Sequence, residues 1–123
     1  MVVRELIESG MLKGKPERLQ PGSCLFKAGE QLECFYFVMS GSVSLTPAVD
    51  APLPAIASEN NLLGLPDLMN ERYSHTAKVL EVTDCVRLQK EDLLEALQCM
   101  PHLRLYLLRQ MSRQTTLANA AFE

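Results

Sequence analysis

From Pro21 to Leu88 the chain is a succession of short apolar segments, each broken by turn residues before it can extend. Pro21-Gly22, Ala28-Gly29-Glu30, Ser40-Gly41 and the proline-rich connection Pro47 to Pro54 separate Cys24-Leu25-Phe26, Cys34 to Met39, Ser42 to Thr46 and Ala55-Ile56-Ala57. The proline-rich connection cannot be a central strand, because proline has no N–H to give to a ladder. Many short strands with regular turn punctuation specify a roll or barrel, and they argue against a parallel sheet. Ser42 to Thr46 alternates, so Val43 and Leu45 should face inward and Ser42, Ser44 and Thr46 outward.

Helical spacing flanks this β region. Val3, Leu6, Ile7 and Met11 fall on one face, which predicts a helix over Val2 to Leu12 closed by Gly14 and Pro16. Leu62 to Met69 reads as a short strand, Gly64, and a helical turn with Pro66 near its start, where proline is tolerated. Ala77 to Val82 and Cys85 to Leu88 read as strands joined by a bend at Thr83-Asp84. Leu93 to Met100 is helical, and Pro101 restarts a helix that can run to the C-terminus. The expected organisation is one domain: N-terminal helix 1–14, β-roll 15–89 and C-terminal helices 90–123.

The last helix carries apolar residues on two arcs. Leu103, Leu107, Gln110, Met111, Gln114, Leu117, Ala118 and Ala121 share one, and Leu105 and Leu108 lie nearly opposite. A helix with two apolar faces needs two partners. One is the chain's own roll, the other the same helix of a second copy. A homodimer is therefore expected, with Leu103, Leu107, Gln110, Met111, Gln114 and Ala118 on the dimer helix.

Composition narrows the function. A length of 123 residues supports one modest core. A net charge of −3 gives no broad footprint for nucleic acid. No apolar run is long enough to cross a bilayer, and the acidic N-terminus lacks a signal core, so the expected setting is cytoplasmic with no membrane contact. Cys24, Cys34, Cys85 and Cys99 are scattered without a C-x-x-C pair, and read as buried apolar thiols. His75 and His102 read as structural or hydrogen-bonded histidines, too few for a metal site. There is no nucleophile elbow, P-loop or paired-acid motif, so neither an enzyme nor a bound cofactor or metal is expected.

Five motifs occur in a telling order: P-G-S-C-L-F-K-A-G-E, F-Y-F-V-M-S-G-S-V, L-G-L-P-D-L-M, T-A-K-V-L-E-V-T-D-C-V-R-L and D-L-L-E-A-L-Q-C-M-P. Together they resemble the cyclic-nucleotide-binding domain, in particular the sensor half of Crp/Fnr-type bacterial regulators, over nearly the whole chain. The resemblance implies a mainly β fold with flanking helices, a double-sheeted jelly-roll whose ligand pocket is roofed by the long C-terminal helix. Nucleotide-binding members grip the cyclic phosphate with backbone N–H groups at the short helical turn. A glutamate just after the cassette glycine holds the ribose, and an arginine further on pairs with the phosphate. Regulators of this kind continue into a helix-turn-helix. This chain ends at Phe122-Glu123, so direct DNA contact by these residues is not expected.

The cassette departs from that pattern at both charged positions. Leu65 takes the glutamate position and Tyr73 the arginine position. Arg72 is one residue away, and in extended backbone that shift turns it to the opposite face unless a bulge intervenes. Asp67 adds a negative charge near the expected phosphate. Losing two charge-assisted anchors costs about 3–6 kcal/mol, on the order of 10²–10⁴ in affinity. The roof differs as well: Gln110-Met111-Ser112-Arg113 resembles the start of the family's roof helix, with Thr115-Thr116 early on it and Ala118-Asn119 where adenine would be touched.

The expected pocket residues are Gly64, Leu65, Pro66, Asp67, Leu68, Tyr73, Ser74, His75 and Thr76, and the expected function is a non-enzymatic regulatory module with an altered effector or none. The open alternatives are a true cyclic-nucleotide binder using Arg72, a haem or redox sensor using His75 or a cysteine, and a ligand-free dimerisation module.

Overall fold

A computed structural model describes residues 2–47, 55–68 and 70–109. Among the described residues, eight strands form two antiparallel four-stranded sheets. They are β1 (Lys15–Leu19), β2 (Cys24–Phe26), β3 (Cys34–Ser40), β4 (Val43–Pro47), β5 (Ala55–Ala57), β6 (Leu62–Leu63), β7 (His75–Val79) and β8 (Thr83–Gln89). One sheet has the order β1-β8-β3-β6 and the other β2-β7-β4-β5. Consecutive strands β1 and β2, β2 and β3, and β7 and β8 lie in different sheets, so the chain winds between the layers as a roll. Helix α1 (Val2–Glu8) precedes the strands, α2 (Lys90–Cys99) follows them, and a third helix, α3, occupies 101–109. No helix among the described residues is long and apolar enough to cross a membrane.

The core runs through the central strands. β3 and β8 pair with Phe35 opposite Leu88 and Phe37 opposite Val86. Phe35, Phe37, Val38 and Leu88 are completely buried. The consecutive burial of β3 reflects cover on both faces. One side meets the roll interior, and α1 reaches Phe37 through Arg4, whose guanidinium sits 5.9 Å from the ring centroid. Arg4 also donates to Met39 O at 2.7 Å and to Asn60 Oδ1 at 2.9 Å, which fastens α1 to the loop before β6.

The helices end where local chemistry dictates. α1 stops at Glu8 and does not reach Leu12 as the sequence spacing implies, because Gly10 turns the chain at φ 81°. Leu12, not Met11, then enters the core, and Met11 is exposed. α2 ends at Cys99, and Arg104 of α3 folds back to donate to Leu97 O at 2.9 and 3.1 Å. A cation on the last carbonyls satisfies acceptors that the helix cannot and complements its dipole. That gives Arg104 a structural job beyond the solvated face.

Several strand boundaries differ from the sequence reading. β1 occupies Lys15–Leu19, where a charged segment with Pro16 reads as a helix stop. It is an edge strand, the position in a sheet where proline is tolerated. β4 runs on to include Pro47, opposite His75. The break between the last strands falls at residues 80–82, not at Thr83-Asp84, and Thr83 is the first residue of β8. Leu80 and Val82 stand exposed on that turn, while Thr83 is buried and donates to Glu81 O at 2.9 Å. The tight turn expected at Ser40-Gly41 is present. Gly41 has φ 105°, and a Cβ there would lie 2.7 Å from Thr83 Cα, so glycine is required.

Candidate functional site

The cassette begins where β6 ends. Gly64 adopts φ 93° and delivers the chain into a single 3-10 turn over Leu65–Asp67, with proline at its start. A Cβ on Gly64 would sit 3.0 Å from the Phe35 ring, so the turn also depends on close packing. Leu65 follows and is fully buried; Leu68 is nearly so. Of Pro66 only the backbone is described, and Met69 lies outside the described residues.

The chain then returns along the loop after β2. Gly29 N donates to Tyr73 O at 2.9 Å, Tyr73 N to Glu30 O at 3.0 Å, and Leu32 N to Glu71 O at 2.8 Å. Extended pairing of this kind alternates side chains. Arg72 is accordingly exposed, with Nη1 donating to Gly29 O at 2.7 Å, and Tyr73 is buried at 5% exposure. Tyr73 stacks on Phe26 with centroids 4.0 Å apart and planes 11° from parallel. Phe26 in turn faces Tyr36 at 6.1 Å. The Tyr73 hydroxyl donates to Cys34 O at 2.6 Å. Burial and the neighbouring Cys34 hold both tyrosine hydroxyls well above their usual ionisation range. The position expected to hold a cation is thus filled by a neutral aromatic ring with its polar tip satisfied. Such stacking contributes about 0.5–1.5 kcal/mol beyond its burial.

On the polar side of the same loop, Asp67 is the organising group. The sequence alone reads it as a stray charge facing the ligand. It is instead buried, 4% exposed, and bonded within the cassette. Its Oδ2 accepts from Ser74 N at 2.9 Å and Ser74 Oγ at 3.0 Å, and Oδ1 accepts from Asn70 Nδ2 at 3.1 Å. Ser74 Oγ also lies 2.7 Å from His75 Nδ1. With the single hydroxyl proton directed at Asp67, His75 must donate from Nδ1. That polarity opposes nucleophile activation, where the histidine would accept the serine proton. Thr76 accepts from Ala28 N at 3.0 Å and joins the β2 turn to β7.

The remaining candidates are dispersed. Cys24 and Cys99 are exposed, Cys34 is half-buried and only Cys85 is buried, which corrects the reading of all four as core thiols. Burial, with Glu17 and Asp84 nearby, pushes the Cys85 thiol up to about 11. No group of three His, Cys, Asp or Glu among the described residues could hold a metal ion. His102 is exposed on α3. Leu103 and Leu107, placed by the sequence on the dimer face, are turned into the chain's own core at 1% and 2% exposure. Leu105 and Leu108 are half exposed, at 51% and 56%. Gln110, Met111, Gln114 and Ala118 lie outside the described residues, as do Thr115, Thr116 and Asn119.

The described residues thus form a two-sheet roll with a glycine-led 3-10 turn between β6 and β7 and helices at its end. The family model for the cyclic nucleotide-binding domain matches residues 16–99. The chain belongs to that family, with relatives among regulators of the Crp/Fnr type. It is 31% identical over 105 residues to the transcriptional activator protein anr of Pseudomonas aeruginosa, covering 83% of this chain and 42% of that protein. It is 26% identical over 113 residues to the fumarate and nitrate reduction regulatory protein of Vibrio cholerae, covering 89% of this chain and 45% of that one. The chain therefore spans less than half the length of these relatives. In fold it is similar to the catabolite activator protein of Thermus thermophilus, with TM-score 0.79 at 23% identity over 96% of this chain and 57% of the other. The sensor domain of the transcriptional regulator DNR from Pseudomonas aeruginosa gives TM-score 0.72 at 23% identity over 85% and 76%.

Proposed function

We propose that this chain is a single non-enzymatic sensor domain of a cytoplasmic transcription regulator, and that its roll does not hold cyclic AMP in the family's usual way. One observation carries the reading. The cation position of the cassette is occupied by Tyr73, buried against Phe26 and bonded to Cys34 O, while the adjacent Arg72 is exposed and engaged with Gly29 O. No charged group stands ready at either anchor position, since Leu65 is buried and apolar.

The output surface is α3. With Leu103 and Leu107 committed to the chain's own core, the face left for a second copy among the described residues of α3 is that of Leu105 and Leu108. A ligand or a change in the roll would alter the seat of α3 and so the pairing of two subunits. The relatives named above are transcription regulators, which supports a regulatory role; the net charge of −3 supports the absence of direct DNA contact by this chain.

Isothermal calorimetry with cyclic AMP and cyclic GMP tests the reading. The expected result is no saturable heat at micromolar nucleotide. Micromolar binding that disappears in Arg72→Ala would return the domain to nucleotide sensing.

A further inference from the structure

Asp67 has a role that the aromatic filling of the cassette leaves unexplained. A carboxylate leaves water only where donors replace its hydration. Here the donors are neutral and come from one short loop: the Ser74 amide, the Ser74 hydroxyl and the Asn70 side-chain amide. Among the described residues no lysine or arginine pairs with Asp67. Convergent N–H and O–H groups around an oxygen pair are the chemistry of an oxyanion site.

We propose that Asp67 is an internal ligand, a carboxylate of the chain's own that occupies an oxyanion subsite built from Ser74 and Asn70. An external carboxylate or phosphate group would have to displace it to enter. This rests on the reading that the cassette does not accept a cyclic nucleotide, and it adds the cause: the anion's place is taken in cis. Ser74 is the key donor because both its backbone and its side chain point at the same oxygen, Asp67 Oδ2.

The test is anion rescue. Asp67→Ala removes the internal ligand and leaves its donors empty. The melting temperature of the variant is measured against formate and, separately, inorganic phosphate, with chloride holding ionic strength constant. The expected result is a saturable rise on the order of 5 °C in the variant and none in the unmutated chain. Rescue by formate alone marks a carboxylate-sized site; rescue by phosphate as well admits phosphate groups; either supports the subsite. Adding Ser74→Ala should abolish the rescue. If Asp67→Ala does not fold in chloride, refolding in formate decides, and recovery there supports the proposal. The proposal is overturned if neither anion acts on the variant, or if the unmutated chain responds equally. Nucleotide binding by the unmutated chain is a separate result, and would strike the proposed function without touching the rescue.

Discussion

The cassette and the last helix handle their surplus groups in opposite ways. In the cassette the polar side chains of Asp67, Arg72, Tyr73 and Ser74 already have partners within the chain. Tyr73 stacks on Phe26 and bonds Cys34 O, Asp67 takes the Ser74 donors, and Arg72 donates to Gly29 O. On α3 one apolar row is buried and another, Leu105 and Leu108, is left uncovered. Self-satisfaction closes a site, and an uncovered apolar row invites a partner. The contrast supports the proposal that this domain interacts through its helix and not through the hollow of its roll.

The strongest way to break the contrast is to empty the closed region. Phe26→Ala removes the ring between Tyr73 and Tyr36 and should destabilise the domain by about 3–5 kcal/mol in urea unfolding. A loss below about 1 kcal/mol would mean the stack is not holding the cassette shut. The two rows of α3 can be separated next. Leu103→Ala or Leu107→Ala should cost about 2–5 kcal/mol, as core truncations do. Leu105→Ser with Leu108→Ser should leave monomer stability within about 0.5 kcal/mol and shift sedimentation toward monomer. Equal destabilisation by both pairs would erase the distinction.

A smaller effect follows from the buried ionisable groups. The Cys85 thiol is raised from 9 to about 11, and Tyr36 and Tyr73 are raised as well, all first by burial. Each proton is held more tightly in the folded chain than in the unfolded one. Stability from Cys85 is therefore complete below pH 9 and falls as pH climbs toward 11, by about 2–3 kcal/mol. Cys85→Ala should flatten that alkaline decline in denaturation curves across the range. The smallest effect belongs to Tyr73→Phe, which keeps the ring and leaves Cys34 O without its hydroxyl donor. About 1 kcal/mol is expected from chemical denaturation.

The roll was legible because turn residues and alternating strands act locally. Val43 is buried and Thr46 exposed as expected, while Ser44 and Leu45 are both half-buried, and Gly64 leads the expected helical turn. β1 was not legible, because Lys15, Pro16, Glu17 and Arg18 carry no strand signal and are held by pairing with β8. The turn at residues 80–82 was hidden by Leu80 and Val82, whose apolar character extends the strand pattern through an exposed bend. At the site, the opposite exposure of Arg72 and Tyr73 followed from one-residue alternation. The Asp67–Ser74 contact did not, since seven residues of intervening loop give no rule for which donors a carboxylate will find. The seat of Leu103 and Leu107 was hidden for a related reason. Helical spacing shows that two apolar rows exist, and only tertiary packing shows which of them the roll covers.

The most direct test is an amide NMR titration of the unmutated chain with cyclic AMP, following Leu65, Arg72, Tyr73 and Ser74. The account predicts that these resonances stay in place through hundreds of micromolar nucleotide. Saturable movement of Tyr73 and Ser74 at micromolar concentrations, lost in Arg72→Ala, would contradict it.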